Sequence, residues 1–448
     1  MFEPSRSEVR EVFKVLQDQI EKLSTTASMR PSVGLRWNKK AEPINGNDLC
    51  QLIKSIIEEV EDSTVDTGSG GYLAYVPGGG IFSACVADFL AVSLNRYVGI
   101  WDLAPVCVQI EKEAIQTLGE FIGLNDAKGI LTSGGSLANL SAVIAARDTK
   151  VKNISKAVAY CSDQVHHSIE KCLKASGLGL SQLRKINSDQ DFKIDLKELE
   201  HQIEADLRTG LEPFLVVGTA GTTNTGAIDS LSAIAEICEK RGLWFHVDGA
   251  YGGVFAKINE FSARFEGLSR ADSVTIDPHK GLFLPYGTGA LLVRNEDCLK
   301  EAFSKRADYL PDLSASEGTN FNEISLELSR DFRGLRVWLP FRVHGSGSFK
   351  NALCEKIALR KMFEVNLKQV DGIEVGASGL TVVCFRMKDD SKNRELLDYI
   401  NESRDVFISD TRLRGIYHLR ICVLSYATRE HHIEKLLALI RTFVETRS

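Results

Sequence analysis

Two short segments place reactive side chains at the ends of strand-like runs. In Asp272-Ser273-Val274-Thr275-Ile276-Asp277-Pro278-His279-Lys280-Gly281-Leu282-Phe283, the apolar, β-branched run Val274 to Ile276 reads as a buried strand. Asp277-Pro278 stops it, so His279 and Lys280 fall at its mouth. An amine held at the edge of a core loses solvation, which lowers its pKa and makes it a usable nucleophile toward a carbonyl. A lone lysine after a strand more often only snorkels to solvent, so the assignment needs a partner. That partner stands upstream in Leu243-Trp244-Phe245-His246-Val247-Asp248-Gly249-Ala250-Tyr251-Gly252-Gly253, an apolar strand ending in a carboxylate. The small residues after Asp248 leave room for something flat.

A carboxylate at a strand end beside a reactive lysine suits pyridoxal phosphate. The lysine holds the aldehyde as a Schiff base, and the aspartate keeps the pyridine nitrogen protonated. Taken alone, Asp248 reads equally well as a helix cap or loop acid. A third segment, Gly129-Ile130-Leu131-Thr132-Ser133-Gly134-Gly135-Ser136-Leu137-Ala138-Asn139-Leu140, turns a strand through glycines into a helix from Leu137 to Arg147. Free amides at that helix start, with the Ser136 hydroxyl, make a phosphate cradle. The pattern is neither the dinucleotide nor the Walker fingerprint.

Together, and in this order, the three segments resemble the group II pyridoxal-phosphate decarboxylases, which act on aromatic amino acids, histidine, glutamate and cysteine sulfinate. The likeness runs from about Tyr72 to the C-terminus. It implies that Lys280 is the Schiff-base lysine, that Asp248 pairs with the pyridine nitrogen, and that Ala250 packs against the ring. Gly135 and Ser136 match the family's phosphate turn, with His279 beside Lys280 in the cofactor site. His166, in Ser162-Asp163-Gln164-Val165-His166-His167-Ser168, matches the histidine that stacks on the cofactor. Thr219, in Val217-Gly218-Thr219-Ala220-Gly221, matches a threonine near the ring hydroxyl. The His166-His167 pair invites a metal reading, but adjacent residues on an extended segment point apart and no third ligand is evident, so no metal is expected.

Around these segments, from about Val106 to Arg294, helices alternate with short strands at Ala157 to Tyr160, Phe214 to Val217, Trp244 to Val247, Ser273 to Ile276 and Ala290 to Val293. Such alternation predicts an α/β fold with a mainly parallel sheet, helices on both faces, and ligand-binding turns beyond the strands' carboxyl ends. With the resemblance, this is the fold type I transferase architecture with a sheet of the seven-stranded type. Leu380 to Met387 and Ile416 to Leu424 read as further strands, with helices from Asn393 to Glu402 and Glu430 to Val444 after a long helix from about Ser348. The expected organisation is an N-terminal helical arm (1–70), a large cofactor-binding α/β domain (71–345) and a small α+β domain (346–448).

The 448 residues, 44% of them hydrophobic and 25% charged, are those of an ordinary globular protein. A net charge of −6 gives no electrostatic case for nucleic acid or an anionic membrane as partner. Ten cysteines without CxxC pairs fit reduced core thiols better than disulfides or zinc. The N-terminus carries one helical apolar stripe at Val9, Val12, Phe13, Leu16, Ile20 and Leu23 and lacks the unbroken apolar core of a signal peptide. A cytoplasmic location is therefore expected. A second amphipathic helix is expected from Asn47 to about Val60. In the family such helices wrap a second subunit, which implies a homodimer with active sites at its interface.

Glycine is dense between Gly68 and Gly80. The resemblance puts Tyr75-Val76-Pro77 at the substrate mouth, with Tyr97 and Trp101, after a helix from Phe82 to Leu94, as further candidate walls for the substrate side chain. Each of these aromatics also suits plain core packing. The polar stretch Arg306 to Phe321 reads as a connection or as a lid that excludes water. Family members carry there a tyrosine that protonates the substrate carbon. Counting back without gaps from Arg333-Gly334-Leu335-Arg336-Val337-Trp338 puts Phe321 at that place, with Tyr309 and His166 as other possible donors. Phenylalanine has no proton to give, and in plant and insect relatives the same change accompanies aldehyde synthesis. The expected function is thus α-decarboxylation of an L-amino acid, aromatic by preference, to the amine and carbon dioxide. The alternative is decarboxylation-dependent oxidative deamination, in which oxygen is consumed and the products are an aldehyde, ammonia and hydrogen peroxide. A non-catalytic relative is disfavoured because Lys280, Asp248 and the phosphate turn are all present. A lyase or aminotransferase on the same fold would also use that lysine and aspartate, and the resemblance of the stacking His166 and of Asp277-Pro278-His279-Lys280-Gly281-Leu282 favours the decarboxylases instead.

Overall fold

The computed structural model describes residues 6–25, 49–305 and 318–447. Seven strands form the larger sheet: β1 Lys128–Thr132, β2 Ala157–Ser162, β3 Leu183–Ile186, β4 Glu212–Thr219, β5 Trp244–Asp248, β6 Ser273–Ile276 and β7 Gly289–Val293. Their order is β1-β7-β6-β5-β4-β2-β3. All neighbours are parallel except β7, which runs against both β1 and β6. Strands β2, β5, β6 and β7 are buried along their whole length, as their near-continuous apolar composition requires of a sheet covered on both faces. The expected strands all form. β3 was not legible because Leu183-Arg184-Lys185-Ile186 is half charged, which suits its place at the sheet edge.

A second sheet of four antiparallel strands comprises β8 Ile373–Gly379, β9 Val382–Met387, β10 Ser409–Leu413 and β11 Ile416–Cys422, in the order β10-β11-β9-β8. β9 begins two residues later than its composition suggests, because Leu380 takes a left-handed conformation (φ 50°) in the hairpin turn. The helices Phe82–Leu94 and Asn393–Glu402 have the expected bounds. The Arg6–Thr25 and Leu49–Ser63 helices lie close to theirs. The long helix starts earlier than about Ser348. It spans Gly334–Leu367, carries Pro340, and breaks from helical geometry at Gly345 (φ 70°).

The β8–β9 hairpin tip joins the two sheets. Tyr251 Oη lies 2.7 Å from Thr381 Oγ1 and accepts the Thr381 backbone N–H at 3.0 Å. A Cβ on Gly252 would stand 2.2 Å from the Ala220 carbonyl oxygen and 2.9 Å from Leu380 Cδ1, so only glycine lets the tip seat there.

Candidate active site

The turns at the carboxyl ends of β1, β2, β4, β5 and β6 surround one cavity of about 320 Å³. Gly135, Ser136, His166, Thr219, Asp248, Ala250, His279 and Lys280 all line it, joined by Asn139, Ser168, Thr223, Tyr251 and Asp277. Parallel strands deliver these turns to one side of the sheet, which is why residues far apart in the chain converge.

On one wall, the Gly135–Lys150 helix begins at Gly134 without a side-chain cap, leaving first-turn amides for a ligand. A Cβ on Gly135 would stand 2.9 Å from Asp277 Oδ2 and 3.2 Å from the Ala250 methyl. At the far wall, Asp248 accepts the Asn139 Nδ2–H at 3.0 Å and the Ala250 N–H at 3.2 Å. Its carboxylate is thereby held by donors, with lone pairs to spare. The Lys280 amine sits 2.8 Å from Asp277 Oδ2. The amine is thus ion-paired, whereas its sequence context suggested only loss of solvation.

Burial holds both cavity histidines below the ordinary imidazole pKa, against the opposing pull of Asp248 on His166 and of Asp277 on His279. His279 Nδ1 lies 2.8 Å from the Thr288 carbonyl, which only accepts, so the neutral ring carries its proton on Nδ1. Asp229 accepts the backbone N–H groups of Thr219 and Ile194, each at 2.7 Å, and thereby pins the Thr219 turn. Its burial pushes the carboxyl up to about 6.

Thr219 Oγ1 and Asp277 Oδ1 are buried without a hydrogen-bond partner among the described residues. Such groups are costly unless a bound molecule satisfies them. A cradle of free amides, a held carboxylate, a lysine and an unpaired hydroxyl together match the phosphate, ring nitrogen, aldehyde and ring hydroxyl of pyridoxal phosphate. Residues 31–388 match the family model for the pyridoxal-dependent decarboxylase conserved domain. The chain belongs to the pyridoxal-dependent decarboxylase family.

The family assignment has close support. The chain is 36% identical over 424 residues to an aromatic-L-amino-acid decarboxylase of Bacillus atrophaeus, covering 91% of this chain and 88% of the relative. It is 27% identical to a phenylacetaldehyde synthase of Arabidopsis thaliana, over 94% of this chain and 91% of that one. A crystal structure of Oryza sativa TDC with PLP and tryptamine superposes over all of both chains with a TM-score of 0.93 at 24% identity, a likeness of fold. This decarboxylase is therefore a carboxy-lyase that uses pyridoxal phosphate.

The expected substrate walls are not part of the cavity within this chain. Tyr75 is exposed, with a left-handed backbone (φ 52°). The Tyr97 hydroxyl donates to the Leu328 carbonyl at 2.8 Å. Trp101 packs on Gly318, where a Cβ would stand 2.0 Å from its ring, and its backbone N–H donates to Asn320 Oδ1 at 2.9 Å. Phe321 requires a correction. It lies in a short helical turn, 1% exposed, with the Arg330 guanidinium 5.0 Å from its ring centroid. It is a core residue outside the cavity, and the gap-free count misassigned it because the count ignored burial. Tyr309 lies outside the described residues.

Sequence reasoning missed Asn139 and Asp277 although both stand inside quoted motifs. Their hydrogen-bonding roles depend on partners far away in sequence. It also missed Arg420, a buried guanidinium on β11 whose Nε and Nη2 donate to the carbonyl of Thr223 at 3.0 and 2.6 Å. Arg420 Nη1 donates to the Tyr75 carbonyl as well, so one side chain ties the cavity wall to the glycine-rich segment. His167 is exposed with its ring 4.1 Å from that of His166. No cluster of three or more metal-ligating side chains occurs among the described residues.

Proposed function

We propose that this enzyme removes the α-carboxylate of an aromatic L-amino acid to give the amine and carbon dioxide. The single observation that carries the reading is the convergence of Lys280, Asp248, Thr219, His166 and the Gly135-Ser136 turn on one cavity. Lys280 would hold the cofactor's aldehyde carbon, Asp248 its ring nitrogen, Thr219 its ring hydroxyl and the turn amides its phosphate, with His166 and Ala250 on the ring's faces. Bound there, pyridoxal phosphate supplies an electron sink for the bond that breaks. The Asp248 carboxyl, held by the Asn139 and Ala250 donors, would face the ring nitrogen. The uncapped helix start offers its amides to a dianion. His279, with its proton committed to Thr288, presents Nε2 as an acceptor.

The preference for an aromatic side chain rests on the named activity of the Bacillus relative and on Tyr75, Tyr97 and Trp101. These aromatics lie outside the cavity of one chain, so the reading includes a second subunit that brings them to it. Exposed apolar side chains support a homodimer. Phe82, Phe89 and Val92 on one helix and Leu103 and Val106 beside it are all more than half exposed, a density that a lone soluble chain seldom leaves uncovered. We place the border between large and small domains at the Gly345 break and the helical arm before residue 71. A cytoplasmic location is supported by ten free cysteines. No helix among the described residues is long and apolar enough to cross a membrane.

The second reading, conversion to an aldehyde with ammonia and hydrogen peroxide, is favoured by the similarity to phenylacetaldehyde synthase. Incubating a panel of amino acids with cofactor-loaded protein, while following carbon dioxide, amine, aldehyde and peroxide, separates the two. Amine without peroxide supports the first reading. Aldehyde with stoichiometric peroxide overturns it.

A further inference from the structure

Behind the cavity, a chain of buried hydrogen bonds crosses from β6 and β5 to the Gly135–Lys150 helix. Trp244 Nε1 lies 2.9 Å from Ser273 Oγ, which lies 2.8 Å from His246 Nδ1. His246 Nε2 lies 3.1 Å from Asn139 Oδ1. Asn139 Nδ2 lies 3.0 Å from both Asp248 Oδ2 and Ser168 Oγ, and Ser168 Oγ lies 2.9 Å from His166 Nδ1. Apart from His166, every member is buried.

Each bond has only one consistent direction. Asp248 only accepts, so Asn139 faces it with Nδ2 and turns Oδ1 to His246 Nε2, which must then donate. The bare Nδ1 takes the Ser273 hydroxyl hydrogen, and Ser273 Oγ accepts from the Trp244 indole N–H. Burial keeps His246 neutral, with its pKa pushed down to about 4, so the ring has one proton and it sits on Nε2. That proton goes to Asn139 Oδ1, which turns both amide hydrogens toward Asp248 and Ser168. At the far end the Ser168 backbone N–H also points at His166 Nδ1, at 3.3 Å. Nδ1 is therefore an acceptor, and the neutral His166 ring carries its proton on Nε2.

We infer that Asn139, His246 and Ser273 are positioning residues that act as one relay, fixing Asp248 as a hydrogen-bonded carboxylate and His166 as its Nε2–H tautomer. The inference rests on the cofactor site proposed above. Asn139 is the branch point, since its two amide hydrogens serve the two cofactor-facing groups at once. Flipping its amide would set oxygen against the Asp248 carboxylate and N–H against the His246 N–H. The relay excludes that flip because Asp248 only accepts, and the Ser273 hydroxyl, donating to Nδ1, supports the same His246 tautomer.

The test uses holoenzyme labelled with ¹⁵N-histidine, in which ring-nitrogen shifts report protonation directly. His246 and His166, assigned by single substitution, are expected to show bare Nδ1 and protonated Nε2. A protonated Nδ1 on His246 overturns the inference. In parallel, the dissociation constant for pyridoxal phosphate is measured for His246→Leu, His246→Gln and Ser273→Ala. Loss of the hydrogen bond that orients the Asn139 amide toward Asp248 predicts binding roughly tenfold weaker in His246→Leu. Glutamine places an amide N–H where the ring Nε2–H stood, so His246→Gln should bind within about twofold of the parent. Ser273→Ala should bind more weakly and shift the His246 ring-nitrogen signals while leaving residue 246 itself untouched. Equal weakening in the leucine and glutamine variants, or none in any variant, overturns the relay. Retention of covalently attached cofactor by Lys280→Ala instead overturns the site reading, whatever the relay variants do.

Discussion

Asp277 Oδ2 stands 2.8 Å from the Lys280 amine, on the same turn and three residues before it. The pair is nearly enclosed, so the carboxylate both neutralises the amine and aims it into the cavity. Lys280→Ala is expected to lower turnover on the order of 10³-fold or more. It should also abolish the covalent cofactor adduct seen by mass spectrometry after borohydride reduction. Asp277→Asn keeps the shape and removes the charge. An expected loss of about 10- to 100-fold in kcat, with the adduct still formed, would distinguish aiming from attachment.

Product identity turns on which residue delivers the last proton. Because Phe321 is packed beneath Arg330, Phe321→Tyr is expected to leave the ratio of amine to aldehyde unchanged. Phe321→Ala should cost about 3–5 kcal/mol of stability through the cavity it opens. Tyr309→Phe is expected to divert product toward aldehyde and peroxide. Gas chromatography of the products with a peroxide assay checks both, and a product switch in Phe321→Tyr would refute the placement.

Stability should fall on acidification. His246 and His432 have folded pKa values near 4 because burial disfavours the imidazolium, against about 6.5 when unfolded. Between those values the unfolded chain binds protons that the fold excludes, so stability rises with pH from about 4 to about 6.5. Asp229 works in the opposite direction. Its carboxyl is raised to about 6, so it contributes stability at low pH that is lost as pH rises through that value. Burial raises Glu111, Asp272 and Glu296 as well, which oppose the histidines, while His246 alone accounts for on the order of 3 kcal/mol across the window. Thermal unfolding at pH 7 and pH 5 should show a clear drop in Tm for the parent and a smaller one for His246→Gln.

The exposed apolar face carries its own prediction. Val106 is 70% exposed at the start of the Pro105–Ile122 helix. Val106→Glu should leave the fold intact and weaken self-association by several kcal/mol if this face is the subunit contact. Sedimentation velocity across a concentration series checks it. Loss of activity in step with loss of the dimer would tie Tyr97 and Trp101 to the partner's cavity.

The sequence by itself determined the alternation of strand and helix, because buried parallel strands must be continuously apolar and the turns after them are punctuated by glycine and proline. It picked out the candidate cofactor residues for the same reason, since Lys280, Asp248 and the Gly135-Ser136 turn each sit where such a strand ends. What it left undecided was everything that depends on a partner distant in the chain. β3 is half charged and is a strand only because β2 lies beside it. Phe321 reads as a loop residue until Arg330 and the core close over it. Asn139 looks like one more helix residue until the sheet brings His246, Asp248 and Ser168 within hydrogen-bond reach. Hydrogen-bond direction, tautomer and ion pairing are properties of distances between side chains, and only the tertiary structure decides those distances.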